Sequence, residues 1–190
     1  MKIFEQKIIL ASKSPRRKQL LEIAGFNFEV KALEVDESFS PTMPVAEVAA
    51  YLAEKKADAA HSLVDTNALI LAADSVVILE DKIYGKPEDE TDAKQILRQL
   101  SGKVHRVITG VCLLQYNKKR IFSGVSEVHF APLSEEEIEY YVQKYQPYDK
   151  AGAYGIQDWI GWCKVLKIEG SYSNVMGLPM ELVYKELSSF

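Results

Sequence analysis

Two adjacent arginines follow the apolar run Ile8-Ile9-Leu10-Ala11 near the start of the chain. Before them, Ser14 suits the N-cap of a helix and Pro15 suits its first position. A strand that leads into a helix N-terminus favours an anion, because the free backbone amides and the helix dipole point toward it. Arg16 and Arg17 would add bidentate donors, so this segment predicts a phosphate site. The alternative is a solvated basic turn, since positive charge opposes the dipole there.

Asp74 is the strongest single catalytic candidate. It follows the apolar run Ala68–Ala73, which is typical of a central buried strand, and we expect that strand to stop at Asp74. Ligands bind at such strand ends in open α/β sheets, although an aspartate there can also form a turn. Lys86 lies in Gly85-Lys86-Pro87, beyond a predicted hairpin that turns at Glu80-Asp81-Lys82. The hairpin predicts that Asp74 and Lys86 share one cleft.

Three further charged residues complete a possible phosphoryl-transfer set. Asp36 and Glu37 lie in an acidic loop, and Lys56 lies near the middle of a helix predicted over 44–62. Taken singly, these residues are typical of a solvated surface. Together with the arginines and Lys86, they match what metal-assisted chemistry on a phosphate needs, because cations hold phosphate oxygens while carboxylates hold a divalent ion and orient water.

Gln157 ends the glycine- and alanine-rich run Ala151–Gln157. Its carboxamide offers a donor and an acceptor together, which suits recognition of a planar ligand. The alternative is a turn whose small residues only allow tight packing. Trp159 and Trp162 could stack on a base, although a hydrophobic patch that covers the edge of the sheet is the favoured explanation.

Composition and charge narrow the function classes. The chain has 190 residues, of which 47% are hydrophobic and 26% charged, as in an ordinary globular protein, and we predict one domain over residues 1–190. A net charge of −4 argues against nucleic acid as a partner, so any anion site must be a local cluster.

Cysteine usage and hydropathy indicate the compartment. Cys112 and Cys163 lie in strand-like runs without a metal-binding spacing, which predicts reduced core thiols. His61, His105 and His129 are far apart and show no metal-ligand spacing. The chain opens without a signal-peptide pattern and contains no long apolar stretch, so we expect a cytoplasmic protein that does not bind a membrane.

The order of elements predicts the fold class. Strands and helices alternate early in the chain, and a hairpin ribbon occupies the middle. Two further helices follow, the last beginning at Pro179, with a strand predicted around Lys164–Ile168 between them. Ser134-Glu135-Glu136-Glu137 is a capping box that opens one of these helices. We therefore expect an α/β fold with a mixed sheet flanked by helices, not a purely doubly wound sheet.

Several segments together resemble the Maf-type nucleoside triphosphate pyrophosphatases, in family order and over nearly the whole chain. The first, Leu10-Ala11-Ser12-Lys13-Ser14-Pro15-Arg16-Arg17, is similar to the opening signature of that family. The others are Ala73-Asp74-Ser75, Gly85-Lys86-Pro87, Leu100-Ser101-Gly102-Lys103-Val104-His105, Asp149–Gln157 and Gly170–Pro179.

The resemblance implies hydrolysis of a nucleoside triphosphate between its α and β phosphates, on an elongated α/β fold with a central nucleotide-binding cleft. It also implies a divalent cation, Mg²⁺ or Mn²⁺, and a homodimer. By matching position, Asp74 would be the catalytic base or metal-organising carboxylate, and Glu37 the second acidic residue at the metal. Arg17, Lys56 and Lys86 would hold the triphosphate, with Ser14 contributing at the loop.

Subgroups of the family differ at positions near the base, which here are Arg16, Ser75 and Gln157. Arg16 and Gln157 resemble the subgroup that acts on dTTP and UTP, whereas Ser75 departs from the more usual threonine. The segment Asp158–Trp162 also departs from the expected glycine-rich stretch, and its role is left open.

Two other functions compete with hydrolysis. One is a nucleotide-binding regulator of cell division or septum formation, in which hydrolysis is slow or incidental. The other, an RNA-binding module, is disfavoured by the acidic balance and by the lack of a basic strand face carrying aromatic residues. We expect the enzyme, with a house-cleaning role whose substrates could include modified pyrimidine nucleotides.

Overall fold

The computed structural model describes residues 2–31, 33–64 and 67–190. In this part of the chain the strands are β1 (Ile8–Leu10), β2 (Phe28–Val30), β3 (Leu69–Leu79), β4 (Lys82–Tyr84), β5 (Val104–Gln115), β6 (Lys118–Phe130) and β7 (Val165–Glu169). The helices are α1 (Lys2–Glu5), α2 (Pro15–Ile23), α3 (Val48–His61), α4 (Glu90–Leu100), α5 (Glu135–Tyr145), α6 (Trp159–Cys163), α7 (Tyr172–Met176) and α8 (Met180–Ser188). Within the described ranges, no helix combines the length and the apolar character needed to cross a membrane.

The strands form one seven-stranded sheet in the order β2-β1-β3-β5-β6-β7, with β4 paired to β3. β1 runs parallel to both β2 and β3, whereas β4 on β3 and β7 on β6 are antiparallel. The prediction of a mixed α/β sheet flanked by helices is therefore confirmed. The elongated outline and the central cleft stay predictions.

The chain divides into two compact units. The first comprises Met1–Asp74, Thr109–Gly124 and Gly177–Phe190, and the second comprises Ser75–Ile108 and Val125–Met176. The first unit therefore holds the arginine turn, α3 and Asp74, and the second holds Lys86 and the segment around Gln157. That the two units form a single domain over residues 1–190 stays a prediction.

Small residues let α3 lie close to the sheet in the first unit. Its buried alanines Ala53, Ala57 and Ala60 pack against strand residues such as Ile70 and Cys112. At Gly110 on β5 an added Cβ would lie 2.3 Å from backbone atoms of α3, so only glycine permits this approach. The close packing holds α3, and with it Lys56, at a set height above the sheet.

The core of the second unit is built around α4, α5 and what we call the aromatic group, which consists of His105, Phe130 and Tyr154. α4 begins at the N-cap Asp89, whose side chain accepts from the Asp92 amide at 2.8 Å, and α5 begins with the predicted capping box at Ser134. The two helices bury leucine, isoleucine and tyrosine side chains. These helices frame the segment that carries Gln157.

Two local expectations are wrong. The long helix begins at Val48 rather than near residue 44, because residues 45–47 form a turn. Cys112 is a buried strand residue as expected, but Cys163 is exposed at the end of α6 and is not a core thiol. Burial raises the pKa of the Cys112 thiol to about 12, which keeps it protonated and unreactive.

Candidate active site

Glu37, Lys56 and Asp74 meet in the first unit and form what we call the charged centre. The Lys56 ammonium nitrogen lies 2.7 Å from Glu37 Oε1 and 2.5 Å from Asp74 Oδ1. The two carboxylate oxygens therefore lie no further apart than the sum of these distances. Side-chain exposure is 15% for Lys56 and Asp74 and 47% for Glu37, so the cluster is half-buried and open on the Glu37 side.

The sequence carries a signal for the position of Lys56. It lies four residues after Leu52 and four before Ala60, which are both buried on α3. Side chains four apart share one helix face, so Lys56 is a cation inside an apolar stripe rather than on the solvated side. The interpretation of Lys56 as a surface lysine is thus wrong, and its pairing with two carboxylates explains how its charge is tolerated.

Asp74 does not end its strand, contrary to the expectation. β3 continues through Asp74 to Leu79, and its second half pairs with β4 through Val77, Ile78 and Leu79. The partner strand β1 is shorter, and its last paired residue, Leu10, faces Leu71. Asp74 therefore lies just past the end of the parallel β1 ladder, which leaves its side chain half-buried within a continuous strand.

The turn between β1 and α2 has the predicted form with one difference. α2 begins at Pro15 with Ser14 in extended conformation at the N-cap, but the Ser14 side chain makes no capping hydrogen bond. Ser12 instead accepts from the Ser14 amide at 3.2 Å. Arg16 follows in the first helical turn and is half-buried. The Ser14 and Arg16 roles at a phosphate stay predictions.

Arg17 is buried and tied to the backbone. Its Nε donates to the Gly177 carbonyl at 2.7 Å, and one terminal nitrogen donates to the Ala73 carbonyl at 2.8 Å and to Ser12 Oγ at 3.1 Å. Burial lowers the pKa of Arg17, and the nearby Asp74 charge opposes that shift. Arg17 thereby holds the backbone immediately before Asp74, and its predicted contact with the triphosphate stays a prediction.

The two neighbouring acids of the loop have different partners. Asp36 accepts from the Ser38 amide at 2.9 Å and from the Ser38 hydroxyl at 2.5 Å, while Lys55 donates to it at 3.2 Å. These contacts lower the pKa of Asp36 to about 2, and the hydrogen bond from the Ser38 hydroxyl makes the largest contribution. Asp36 shapes the loop, and this leaves Glu37 as the carboxylate that reaches the charged centre.

The other predicted residues belong to the second unit. Ser75 is half-buried on β3, directly after Asp74, and Lys86 is exposed in the turn after β4. Lys86 lines a cavity of about 410 Å³ whose wall also includes Lys82, Tyr84 and Asp92. The predicted hairpin between β3 and β4 is confirmed, whereas a cleft shared by Asp74 and Lys86 stays a prediction.

Gln157 lies in a tight turn between two helical segments. An added Cβ at Gly152 would lie 2.9 Å from Val77 Cγ2, so the small residues before Gln157 do serve close packing. Trp162 donates through Nε1 to the Gln157 carbonyl at 2.9 Å, although its ring is exposed. The tryptophan thus holds the backbone of the turn, a role that the sequence did not reveal.

A possible metal-ligand group occurs at residues that the sequence reasoning did not choose. Glu127, His129 and Glu169 place their ligand atoms within 4.8 Å of one another on the paired strands β6 and β7. The sequence signal for this group is the spacing of Glu127 and His129, because residues two apart on a strand lie on the same face. Lys167 donates to Glu169 at 2.6 Å, so an ammonium group already balances part of this negative charge.

Comparison with known proteins places this geometry in context. Residues 7–190 match the model of a family described as Maf-like protein. A dTTP/UTP pyrophosphatase of Phocaeicola vulgatus is 52% identical over 182 residues, which is 95% of this chain and 94% of the relative. Proteins of the same name from Bacteroides thetaiotaomicron and Porphyromonas gingivalis are 50% and 48% identical, over 95% and 97% of this chain and 94% of each relative.

A solved structure shares the fold at low sequence identity. The Ham1 protein of Staphylococcus aureus superposes with a TM-score of 0.58 at 16% identity, covering 97% of this chain and 99% of that one. This likeness supports the fold class alone.

Proposed function

Because the chain belongs to the Maf-like family, we propose that it is a nucleoside triphosphate pyrophosphatase, which releases a nucleoside monophosphate and pyrophosphate. The observation that carries the proposal is the charged centre, where one ammonium group joins two carboxylates beside a buried arginine. This arrangement offers both the acids and the cations that hydrolysis of a phosphoanhydride needs.

The charged centre fits a divalent cation. Glu37 and Asp74 present carboxylate oxygens, the ligand type that Mg²⁺ and Mn²⁺ prefer, and both already contact a single positive group, the Lys56 ammonium. We propose that these two residues hold the metal. When bound, a divalent cation neutralises phosphate oxygens and makes a coordinated water more acidic.

Asp74 and the cationic side chains have separate roles in the proposed reaction. Water attacks the α phosphorus in line with the bond to the bridging oxygen, and its proton passes to the Asp74 carboxylate. As that bond breaks, pyrophosphate departs with the bonding electrons, and its negative charge is balanced by Lys56, Arg17 and Lys86. Such neutralisation lowers the barrier because the attack brings electron density to an already anionic centre.

The base preference is part of the proposal. The relatives named above carry the name dTTP/UTP pyrophosphatase, and Arg16 and Gln157 match what is expected of that subgroup. Gln157 would read a pyrimidine edge through its carboxamide, and the Ser75 hydroxyl would supply one further hydrogen bond. We propose dTTP and UTP as substrates, with modified pyrimidine nucleotides as further candidates and a house-cleaning role.

The assembly and location complete the proposal. We propose a single catalytic domain spanning residues 1–190, acting as a homodimer in the cytoplasm, where nucleoside triphosphates are abundant. Nucleic acid is not expected as a partner, since the net charge is −4. Gel filtration with light scattering measures the dimer directly.

A product assay tests the activity. Purified protein is mixed with dTTP, UTP, CTP and GTP in the presence of Mg²⁺ or Mn²⁺, and pyrophosphate, orthophosphate and monophosphate are quantified. We expect equal amounts of pyrophosphate and monophosphate, with dTTP and UTP preferred, and loss of turnover in EDTA. Release of orthophosphate would contradict the proposal, and tight nucleotide binding without turnover would favour the regulator instead.

A further inference from the structure

We infer that the buried Tyr141 hydroxyl, bonded to both Gly155 and Asp158, positions the turn that carries Gln157 and thereby sets base selectivity. We name these three residues the tyrosine clamp. The inference rests on the proposed function, because it assigns Tyr141 and Asp158 a positioning role in the recognition step of that same reaction. It also gives a role to the segment that begins at Asp158.

The clamp consists of two hydrogen bonds made by one hydroxyl group. Tyr141, which is fully buried on α5, donates to Asp158 Oδ2 at 2.7 Å and accepts from the Gly155 amide at 2.9 Å. The hydroxyl thus bonds to residues on both sides of Gln157. Burial, and then the Asp158 contact, raise the pKa of Tyr141, so the group stays protonated and able to donate.

Asp158 is used in an unusual way for its position. It is the N-cap of α6, where an aspartate normally accepts from the first free amides of the helix. Here its side chain makes no capping hydrogen bond and its carboxylate accepts from Tyr141 instead. The carboxylate therefore does not cap α6 and instead bonds to a residue of α5. This arrangement is expected if holding the turn in position contributes more to function than capping α6.

The backbone of the turn is held at further points. The Asp158 amide donates to the Gly155 carbonyl at 3.0 Å, and Trp162 donates to the Gln157 carbonyl at 2.9 Å. An added Cβ at Gly155 would lie 2.5 Å from Asp158 Oδ2, and one at Gly161 would lie 1.9 Å from the Ile156 carbonyl oxygen. Only glycine at both positions allows the clamp and α6 to close around Gln157.

These contacts fix the backbone position from which the Gln157 side chain extends. A carboxamide distinguishes bases only if its donor and acceptor point in set directions, because a rotated amide presents the opposite pattern. Recognition groups of this kind need a supporting layer that restricts their freedom. Tyr141, Asp158 and Trp162 supply that layer from α5 and α6, and they need not touch the nucleotide.

The test compares base selectivity in matched variants. Tyr141→Phe removes the hydroxyl and keeps the ring, whereas Tyr145→Phe removes the hydroxyl of the neighbouring ring, which stacks on Tyr141 at 5.0 Å. For each variant, kcat and KM are measured with dTTP and dGTP. We expect the ratio of kcat/KM between these substrates to fall by about three- to tenfold in Tyr141→Phe, the scale of one net hydrogen bond. The ratio should stay unchanged in Tyr145→Phe.

A double variant shows whether the effect passes through Gln157. In the Gln157→Ala background, Tyr141→Phe should change selectivity no further, because the group that it positions is gone. Amide exchange at Gly155 should also become faster in Tyr141→Phe. If that variant does not fold, Asp158→Ala, which keeps the tyrosine and removes its acceptor, takes its place with the same expectations.

The outcomes separate the inference from the proposed function. A wild-type protein that hydrolyses no triphosphate overturns both. A wild-type protein that is active and selective, with unchanged selectivity in Tyr141→Phe and Asp158→Ala, overturns the inference alone. Equal loss of selectivity from Tyr141→Phe in the presence and absence of Gln157 also overturns it, because Tyr141 would then act by another route.

Discussion

The charged centre of the first unit and the aromatic group of the second unit handle polar side chains in opposite ways. In the charged centre, Lys56 and Asp74 keep 15% of their side-chain surface exposed and bind each other as ions. In the aromatic group, His105 and Tyr154 are 1% and 6% exposed and share a hydrogen bond of 2.8 Å. His105 also meets Phe130 edge-on, with ring centroids 4.9 Å apart.

The difference reflects the cost of burying charge. Burial lowers the pKa of His105 to about 4, and the His129 charge adds to that effect, so the ring is neutral at physiological pH. Charged groups persist where partial exposure and a partner offset the desolvation cost, and a ligand can replace that partner. We therefore expect changes in the charged centre to affect activity more than stability, and changes in the aromatic group to affect stability first.

The largest expected effect is on activity. Asp74→Asn should lower kcat/KM by about a hundredfold or more, the usual scale for a removed base or metal ligand. Its free energy of unfolding should change little, because Lys56 keeps Glu37 as a partner. Steady-state kinetics and urea denaturation measure the two effects. Asp58→Asn, at an exposed acid that pairs with Lys119, is the control. Near-normal turnover in Asp74→Asn would show that the assigned role is wrong.

A smaller loss of activity is expected from Lys56→Gln. The substitution removes the cation that balances phosphate charge, so kcat/KM should fall by about ten- to a hundredfold. Lys55→Gln is the matched control, because the adjacent lysine pairs with Asp36 outside the charged centre. We expect that control to keep kcat/KM within about threefold of wild type, since exposed ion pairs contribute little. Equal losses in both variants would contradict the assignment of Lys56.

The last expected effect is on stability rather than activity, and it tests the aromatic group. The pKa of His105 is lower in the folded protein, about 4, than in the unfolded chain, so the unfolded state binds more protons between that value and about 6.5. Stability from this group is complete above pH 6.5 and decreases as the pH falls toward 4, by at most about 3 kcal/mol. His105→Gln should remove that part of the pH dependence in urea denaturation, and His129→Gln should retain it. An unchanged pH profile in His105→Gln would place the ring in a different environment.

Much of the fold could be predicted from local patterns. The alternation of apolar runs, the capping box at Ser134 and the hairpin after β3 concern neighbours in the chain, and each lies close to its predicted place. The short helix α6 was missed because five residues carry too little periodicity to reveal a helix. The end of β3 was misplaced because a polar residue within a buried run resembles a strand end, whereas β4 pairing extends the strand beyond it.

The sequence predicts which residues belong to the candidate site better than it predicts which of them are in contact. Asp74, Glu37 and Lys56 were chosen from residue type and family resemblance, and the structure brings all three together. The division of labour between Asp36 and Glu37 could not be predicted, since it depends on which carboxylate Ser38 and Lys55 engage. The tyrosine clamp was also missed, because Tyr141 reads as an ordinary core aromatic on α5.

Most strands, several helix ends and the residue types available for phosphate chemistry follow from the amino-acid sequence, because hydrophobic spacing and capping act over a few neighbouring residues. Which of these residues form ion pairs or hydrogen bonds with one another depends on how the chain folds. Lys56 reaches Asp74 because Gly110 lets α3 approach the sheet, and Tyr141 reaches Asp158 because two glycines leave room for the turn. Such contacts depend on backbone distances between elements far apart in the chain, and local patterns do not encode these distances.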